Sequence, residues 1–111
     1  PDLHEYTGVI IVSGRRQGAV YFSAPRGMLT VLLMRMNESD VSHRNLCDLV
    51  GEVANTISVN ARRDFGDQFA ISVPTVSVGD ASRVPPPPDC LPVVIPIHWR
   101  SHSARLVVCL K

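Results

Sequence analysis

The chain lacks an excess of either charge: eleven Lys and Arg against ten Asp and Glu leave a formal net charge of +1 over 111 residues. Without a basic or acidic field there is no electrostatic footprint for nucleic acid or for an anionic membrane surface. The two small clusters Arg15-Arg16 and Arg62-Arg63 read as a turn and as the last turn of a helix, where cations complement the macrodipole. Long apolar runs are also missing. The longest, Met28 to Met36, is interrupted by Arg35 and falls far short of the roughly 20 residues that span a bilayer. No signal peptide is visible and no internal repeat appears. A cytoplasmic domain without membrane insertion is the expectation.

Cysteine is scarce and unpatterned. Cys47, Cys90 and Cys109 are odd in number, widely spaced and without a Cys-x-x-Cys, which reads as a reduced, intracellular set with each thiol in the core. The four histidines His4, His43, His98 and His102 lack the paired spacing of a helical zinc site, and the last two straddle an expected turn. No metal ligands are therefore expected from this chain. Nor does a self-contained hydrolase emerge, because Ser13, Ser42 and Cys47 stand in no His and Asp pattern that would activate them.

What is present is ample apolar material for one core, 45% of residues, in one domain over residues 1–111. Leu3 to Gly14 carries the continuous run Val9-Ile10-Ile11-Val12, typical of a strand covered on both faces, and Gly18 to Ala24 completes a hairpin with it. Pro25 suits a first helical turn, after which Met28, Leu29, Leu32, Leu33 and Met36 recur at helical spacing, so a first helix ends near Asn37. Ser39 to Ser42 offer caps for a long second helix, and Gly66 terminates it. From Phe69 the pattern is β-like, with Ile71 and Val73 alternating before Pro74 shifts the phase to Val76 and Val78; a bulge or edge position at Pro74 accounts for that. Pro85 to Pro88 read as a stiff extended connector, and Val93 to Trp99 and Ala104 to Leu110 as two closing strands. The expected order is β-β-α-α-β-β-β, an α+β domain with an antiparallel sheet and two helices packed on it.

Wound at about 100° per residue, the long helix gathers Leu46, Val50, Val53, Ile57 and Ala61 on one broad apolar stripe. Glu52, Asn55 and Asp48 fall on the other side, where residues three apart are neighbours, so one object can meet the Glu52 carboxylate and the Asn55 amide together. Gly51 lies near that ridge, and a mid-helix Gly costs about 1 kcal/mol against Ala; close approach of a partner's backbone is one reason to keep it. Taken alone, such a Glu-x-x-Asn more often marks a solvated helix face than a site.

The wider context resembles the CheX/CheC family of chemotaxis phosphatases. Asp48-Leu49-Val50-Gly51-Glu52-Val53-Ala54-Asn55-Thr56-Ile57 is similar to the family's helix signature, Gly8 to Gly14 with Gly18-Ala19-Val20 to its first hairpin, and Ile71 to Val76 to its strand carrying Pro-Thr. The family's usual N-terminal helix has no counterpart in these residues. The resemblance implies a phosphatase that removes phosphate from the aspartyl phosphate of a CheY-type response regulator. In that family the Glu recognises the receiver domain through its active-site lysine and the Asn amide orients the attacking water, roles that fall here on Glu52 and Asn55. Asp48, Gly51 and Val59 fall on the expected docking surface. Mg²⁺ is then supplied by the receiver and no cofactor by this chain. The resemblance further implies a homodimer, with the Val93 to Leu110 hairpin as a sheet-edge contact. Val59 departs from the Gly the family commonly carries four residues after the Asn, and Ser101-His102-Ser103 lack the Gly often found in the last hairpin. The competing reading is a non-catalytic interaction module like the flagellar-switch proteins of the same fold.

Overall fold

In the computed structural model the chain runs β1 (Tyr6–Gly14), β2 (Gly18–Ala24), α1 (Arg26–Arg35), α2 (His43–Phe65), β3 (Phe69–Ile71), β4 (Thr75–Val78), β5 (Val93–Trp99) and β6 (His102–Leu110). The structure describes residues 3–65, 68–79 and 90–111, so Gly66 and the run Pro85 to Pro88 lie outside the described residues. The expected α+β architecture with an antiparallel sheet and two helices is what forms. Strand pairing runs β3-β1-β2-β6-β5, with β4 also on β1.

β1 is the organising strand. It pairs β2 along one side and both β3 and β4 along the other, all antiparallel. Its apolar run divides by strand alternation: Ile10 and Val12 join the core under the helices, while Val9 turns to the opposite face with Ala19, Tyr21 and Val107. The phase shift read at Pro74 has a register cause. Between Val9 and Val12, β1 advances three residues while its partner goes back four, from Thr75 to Ile71. One extra residue therefore lies on the partner side, and Pro74, which has no N–H to donate, stands in the gap between two short strands.

The helices are held by their ends. Pro25 is the N-cap of α1, not its first helical residue. At the far end Asn37 takes a left-handed φ of 61°, Glu38 N donates to Leu33 O at 2.9 Å and Asn37 N to Met34 O at 3.1 Å. This is a Schellman closure with Asn in the position usually given to Gly. Ser42 caps α2, its Oγ accepting from Asn45 N at 3.4 Å. The buried line of α2 is narrower than the periodicity suggests. Leu46, Val50 and Ala54 are fully buried and Ser58 is buried, with Val53 and Ile57 packed partly at the flank and Ala61 exposed. Ser58 tolerates its position because Oγ donates to Ala54 O at 2.9 Å.

That narrow line follows from one close approach. A Cβ on Gly8 of β1 would stand 2.6 Å from Val50 O and 3.1 Å from Ala54 Cβ, so the helix backbone itself, not a layer of side chains, rests on the strand. On the opposite flank a Cβ on Gly51 would meet Val76 Cγ2 at 3.2 Å and Pro74 Cβ at 3.6 Å. Both neighbours belong to the same chain, so the mid-helix Gly is accounted for by the chain's own β4 side.

The cysteine reading needs correction. Cys90 and Cys109 form a disulfide, with Cα atoms 5.5 Å apart, and Cys47 is the free thiol. Spacing along the chain carries no sign of this, because the pair is created by the β5–β6 register, which sets Val93 opposite Val108 and brings the residues before β5 alongside the end of β6.

Gly8→Ala is expected to destabilise the fold by about 1–3 kcal/mol through overpacking against an unyielding helix backbone. Gly51→Ala is expected to be neutral or to stabilise by up to about 1 kcal/mol, since helix propensity improves and the Val76 side chain is on an edge strand; chemical denaturation of the two variants checks the contrast. Reduction, or Cys90→Ser, is expected to remove about 3 kcal/mol by reopening a loop whose ends are 19 residues apart in sequence, seen as a lower denaturation midpoint in reducing buffer for the parent alone.

Candidate functional site

α2 offers its outward ridge as a rigid platform. Its inner line is fixed on β1 and its start is capped, so side chains on the other side are positioned by a helix that has little freedom to rotate. Glu52 is exposed and Asn55, one turn further, is half-buried beside the buried Ala54 and Ser58. Among the described residues neither side chain is engaged in a hydrogen bond or ion pair. No buried side-chain nitrogen or oxygen among them is left without a partner, so the free polar atoms of Asn55 are at the surface. A carboxylate and an amide are thus presented together, one turn apart, with their hydrogen-bonding capacity unspent.

The three residues expected around them are not equivalent. Asp48 is exposed, one turn before Glu52. Val59 is 37% exposed, one turn after Asn55. Gly51 is buried beneath Val76 and Pro74, so it shapes the ridge from below.

The start of α2 carries a second polar group that sequence reasoning did not assemble. Arg26 Nη1 lies 3.3 Å from Tyr6 Oη, which it reaches as donor. Tyr6 Oη in turn is 3.0 Å from His43 Nδ1, and His43 Nε2 is 3.6 Å from Cys47 Sγ. Tyr6 Oη accepts from Arg26, and the two ring nitrogens of His43 face the phenol oxygen and the sulfur, so one tautomer donates to Tyr6 and the other toward Cys47. Burial, and then the charge of Asp48, push the Cys47 thiol above its ordinary value. The histidine that the sequence did not pair with Cys47 is therefore near it, but the sulfur's surroundings disfavour the thiolate a nucleophile needs. The group ties β1 to both helices. Among the described residues no set of three or more His, Cys, Asp or Glu side chains is placed to hold a metal ion, and no helix is long and apolar enough to cross a membrane.

Beside Glu52, on the side away from Asn55, an open cleft of about 350 Å³ lies between the end of α1 and the first half of α2. Its apolar part is Leu33, Met36 and Leu49, and its polar part is Glu38, Asn45, Asp48 and Glu52. Sequence reasoning reached only Asp48 and Glu52 of these. The missed signal was Asn37: as the left-handed residue after Met36, it turns the chain so that Glu38 comes back over α1.

The fold and this helix have known counterparts. The structure superposes on chemotaxis protein CheX from Vibrio vulnificus with a TM-score of 0.86 at 18% identity, covering 99% of this chain and 78% of that one. A chemotactic CheC-like protein from Shewanella oneidensis MR-1 gives 0.84 at 19% identity, over 99% and 76% of the two chains. A chain of the CheX–CheY–BeF3–Mg2+ complex from Borrelia burgdorferi gives 0.77 at 14% identity, over 100% and 79%. At such identities these likenesses establish the fold. Among curated proteins no match to the chain is found. The model of the family described as chemotaxis phosphatase CheX matches residues 6–98, from the first residue of β1 into β5, with the Glu52 and Asn55 ridge inside it. With the fold and the family signature in agreement over that span, the chain belongs to the chemotaxis phosphatase CheX family.

Proposed function

We propose that this protein removes phosphate from the aspartyl phosphate of a CheY-type receiver domain, Asn55 orienting the attacking water and Glu52 making a charged contact with the receiver. The observation that carries the reading is the pair itself: Glu52 and Asn55 stand one turn apart on a helix locked to the sheet, accessible and without internal partners among the described residues. The family supports the reaction class, and the Borrelia burgdorferi complex supports a CheY partner with Mg²⁺ on the receiver's side.

The chemistry suits so small a constellation. An aspartyl phosphate is an activated anhydride, and a Mg²⁺ held by the receiver supplies charge neutralisation at the phosphoryl oxygens. What remains for this chain is to position water in line and to exclude unproductive geometries, which is worth several kcal/mol of barrier. An amide that orients water without taking its proton is a recurring device in phosphoryl transfer. Asn55 fits it: its carbonyl accepts from the water while the amide N–H groups remain for the phosphoryl oxygens. Asp48 and Val59 extend the docking surface on either side of the pair. Gly51 contributes from beneath, by letting Val76 and Pro74 pack close to the ridge.

One observation favours the non-catalytic module instead. Val59 is partly exposed one turn beyond Asn55, and its branched side chain takes up room on the approach to the amide. We also infer a homodimer through β5. This strand is at the sheet edge, paired only with β6 among the described residues, and exposes Val93, Val94 and Ile95, the apolar edge a second copy would cover. We assign the protein to the cytoplasm, where receiver domains act; with Cys90 and Cys109 joined, cysteine chemistry no longer supports that assignment and the family alone does.

Asn55→Ala is expected to lose most of the rate acceleration while still binding a beryllofluoride-loaded receiver, measured by phosphate loss and by titration. Glu52→Ala is expected to weaken association as well, by about 1–3 kcal/mol if the contact is desolvated. Both should stay within about 0.5 kcal/mol of the parent in stability. Full activity in Asn55→Ala would remove Asn55 from the mechanism, and a parent that binds a receiver without accelerating its dephosphorylation would make the protein an interaction module. Light scattering should give a dimer for the parent and a monomer for Ile95→Lys.

A further inference from the structure

The cleft beside Glu52 has a composition that selects its occupant. Leu33 is buried, Leu49 half-buried and Met36 exposed, so one wall is apolar and one side of it adaptable, Met being the side chain that best fits irregular surfaces. Around that wall stand the carboxylates of Glu38, Asp48 and Glu52, and among the described residues no Lys or Arg lines the cleft. Asp48 and Glu52 are one turn apart on α2, where like charges repel, and neither has an ion-pair partner among the described residues. Glu38 uses Oε1 to accept from Asp40 N at 3.0 Å, which leaves Oε2. Asn45 spends one of its two amide N–H groups on Asp40 O at 2.9 Å and keeps its carbonyl oxygen and one N–H. The free polar atoms of the lining are therefore mainly acceptors, carried by the carboxylates of Glu38, Asp48 and Glu52.

An anion would be repelled there, and a wholly apolar group would cover carboxylates without replacing their water. A long basic side chain matches both halves, its methylene stem lying along Leu33, Met36 and Leu49 and its cationic head meeting the acceptors. The geometry points to this cleft as the seat of a lysine or arginine side chain of the partner, distinct from the active-site lysine that the family's Glu meets and lying on the side of Glu52 away from Asn55. This inference rests on the receiver reading of the Glu52 and Asn55 ridge. It adds a docking anchor that sets which receivers fit: a receiver whose phosphoryl group reaches Asn55 must carry a basic residue about two helical turns from that amide toward the start of α2. Asp48, placed only by its spacing in the sequence, thereby becomes a specificity residue, and Glu38 and Met36 join it.

The test uses Asp48→Asn and Glu38→Gln in the full chain. The amide oxygen introduced by Glu38→Gln can still accept from Asp40 N, and Asp48→Asn exchanges a carboxylate for an amide of the same shape, so neither change removes a packing contact. The partner is a CheY-type receiver domain, phosphorylated for turnover and loaded with beryllofluoride and Mg²⁺ for titration. Each variant is expected to raise KM and Kd about three- to fivefold, the worth of a partly exposed ion pair. The salt dependence of association should become shallower in both, a change that a purely structural role would not produce. Asp48→Lys should weaken binding by more than about tenfold, because it sets like charges against each other. Unchanged Kd and salt dependence in Asp48→Asn and Glu38→Gln, in a parent that does bind and dephosphorylate the receiver, would overturn the anchor and leave the phosphatase reading intact. A parent that neither binds nor dephosphorylates any receiver overturns both, and is recognised before any variant is made.

Discussion

The contact of α2 with Gly8 is the constraint on which the rest of the structure depends. A helix normally sits on a sheet through a layer of side chains; here the carbonyl of Val50 lies 2.6 Å from where a Cβ on Gly8 would be, so helix and strand backbones nearly touch. This fixes the depth and the rotation of α2 together, because the approach is made by the Val50 carbonyl and the small Ala54 side chain, with Leu46 and Ser58 buried along the same line. A bulkier residue at 54 would lift the helix. Fixing the inner line fixes the outer one as well, and so the packing of a strand glycine determines where the Glu52 carboxylate and the Asn55 amide stand.

From that contact the edges of the site follow. Gly51 faces the flank where β4 runs, and its missing side chain lets Val76 and Pro74 close against the helix. Pro74 reaches that position because the register along β1 slips by one residue between β4 and β3. On the other flank α1 ends in a Schellman turn at Asn37, and the same hydrogen bonds that satisfy the helix end bring Glu38 over the cleft next to Asp48 and Glu52. The ridge is therefore bounded by apolar β-structure on one side and by an acidic cleft on the other. Such an arrangement is suited to holding a protein partner in one orientation, with little chemistry of its own.

Few groups here are tuned in the manner of a self-sufficient enzyme. The free thiol of α2, Cys47, has its pKa raised by burial and by Asp48, and its neighbour His43 is occupied with Tyr6. That network joins β1 to the start of α2 and to Arg26 of α1, which is a positioning task. A phosphatase that works on an already activated phosphoryl group held by its partner needs no more than a well-placed amide and a surface that fits.

Much of this was legible in the sequence. Alternation and helical spacing are local properties, so the hairpin of β1 and β2, the two helices, the disturbance at Pro74 and the outward position of Glu52 and Asn55 could all be read from neighbours along the chain. The family signature around Gly51 to Asn55 is local too. What spacing could not reveal was anything decided by two segments meeting. Ala61 has the periodicity of the buried stripe but is exposed, because spacing carries the direction of a side chain and not how far the sheet extends beneath it. The room at Gly51 is filled by the chain's own Val76 and Pro74. Cys90 and Cys109 join only because the β5–β6 register sets their segments side by side. Glu38 joins the cleft through the left-handed turn at Asn37 that follows α1. Which residues form each element, and which face of α2 carries Glu52 and Asn55, depend on spacing and so lie in the sequence; how deep that helix lies and what stands beside it depend on backbone contacts between residues far apart in the chain, which only folding brings about.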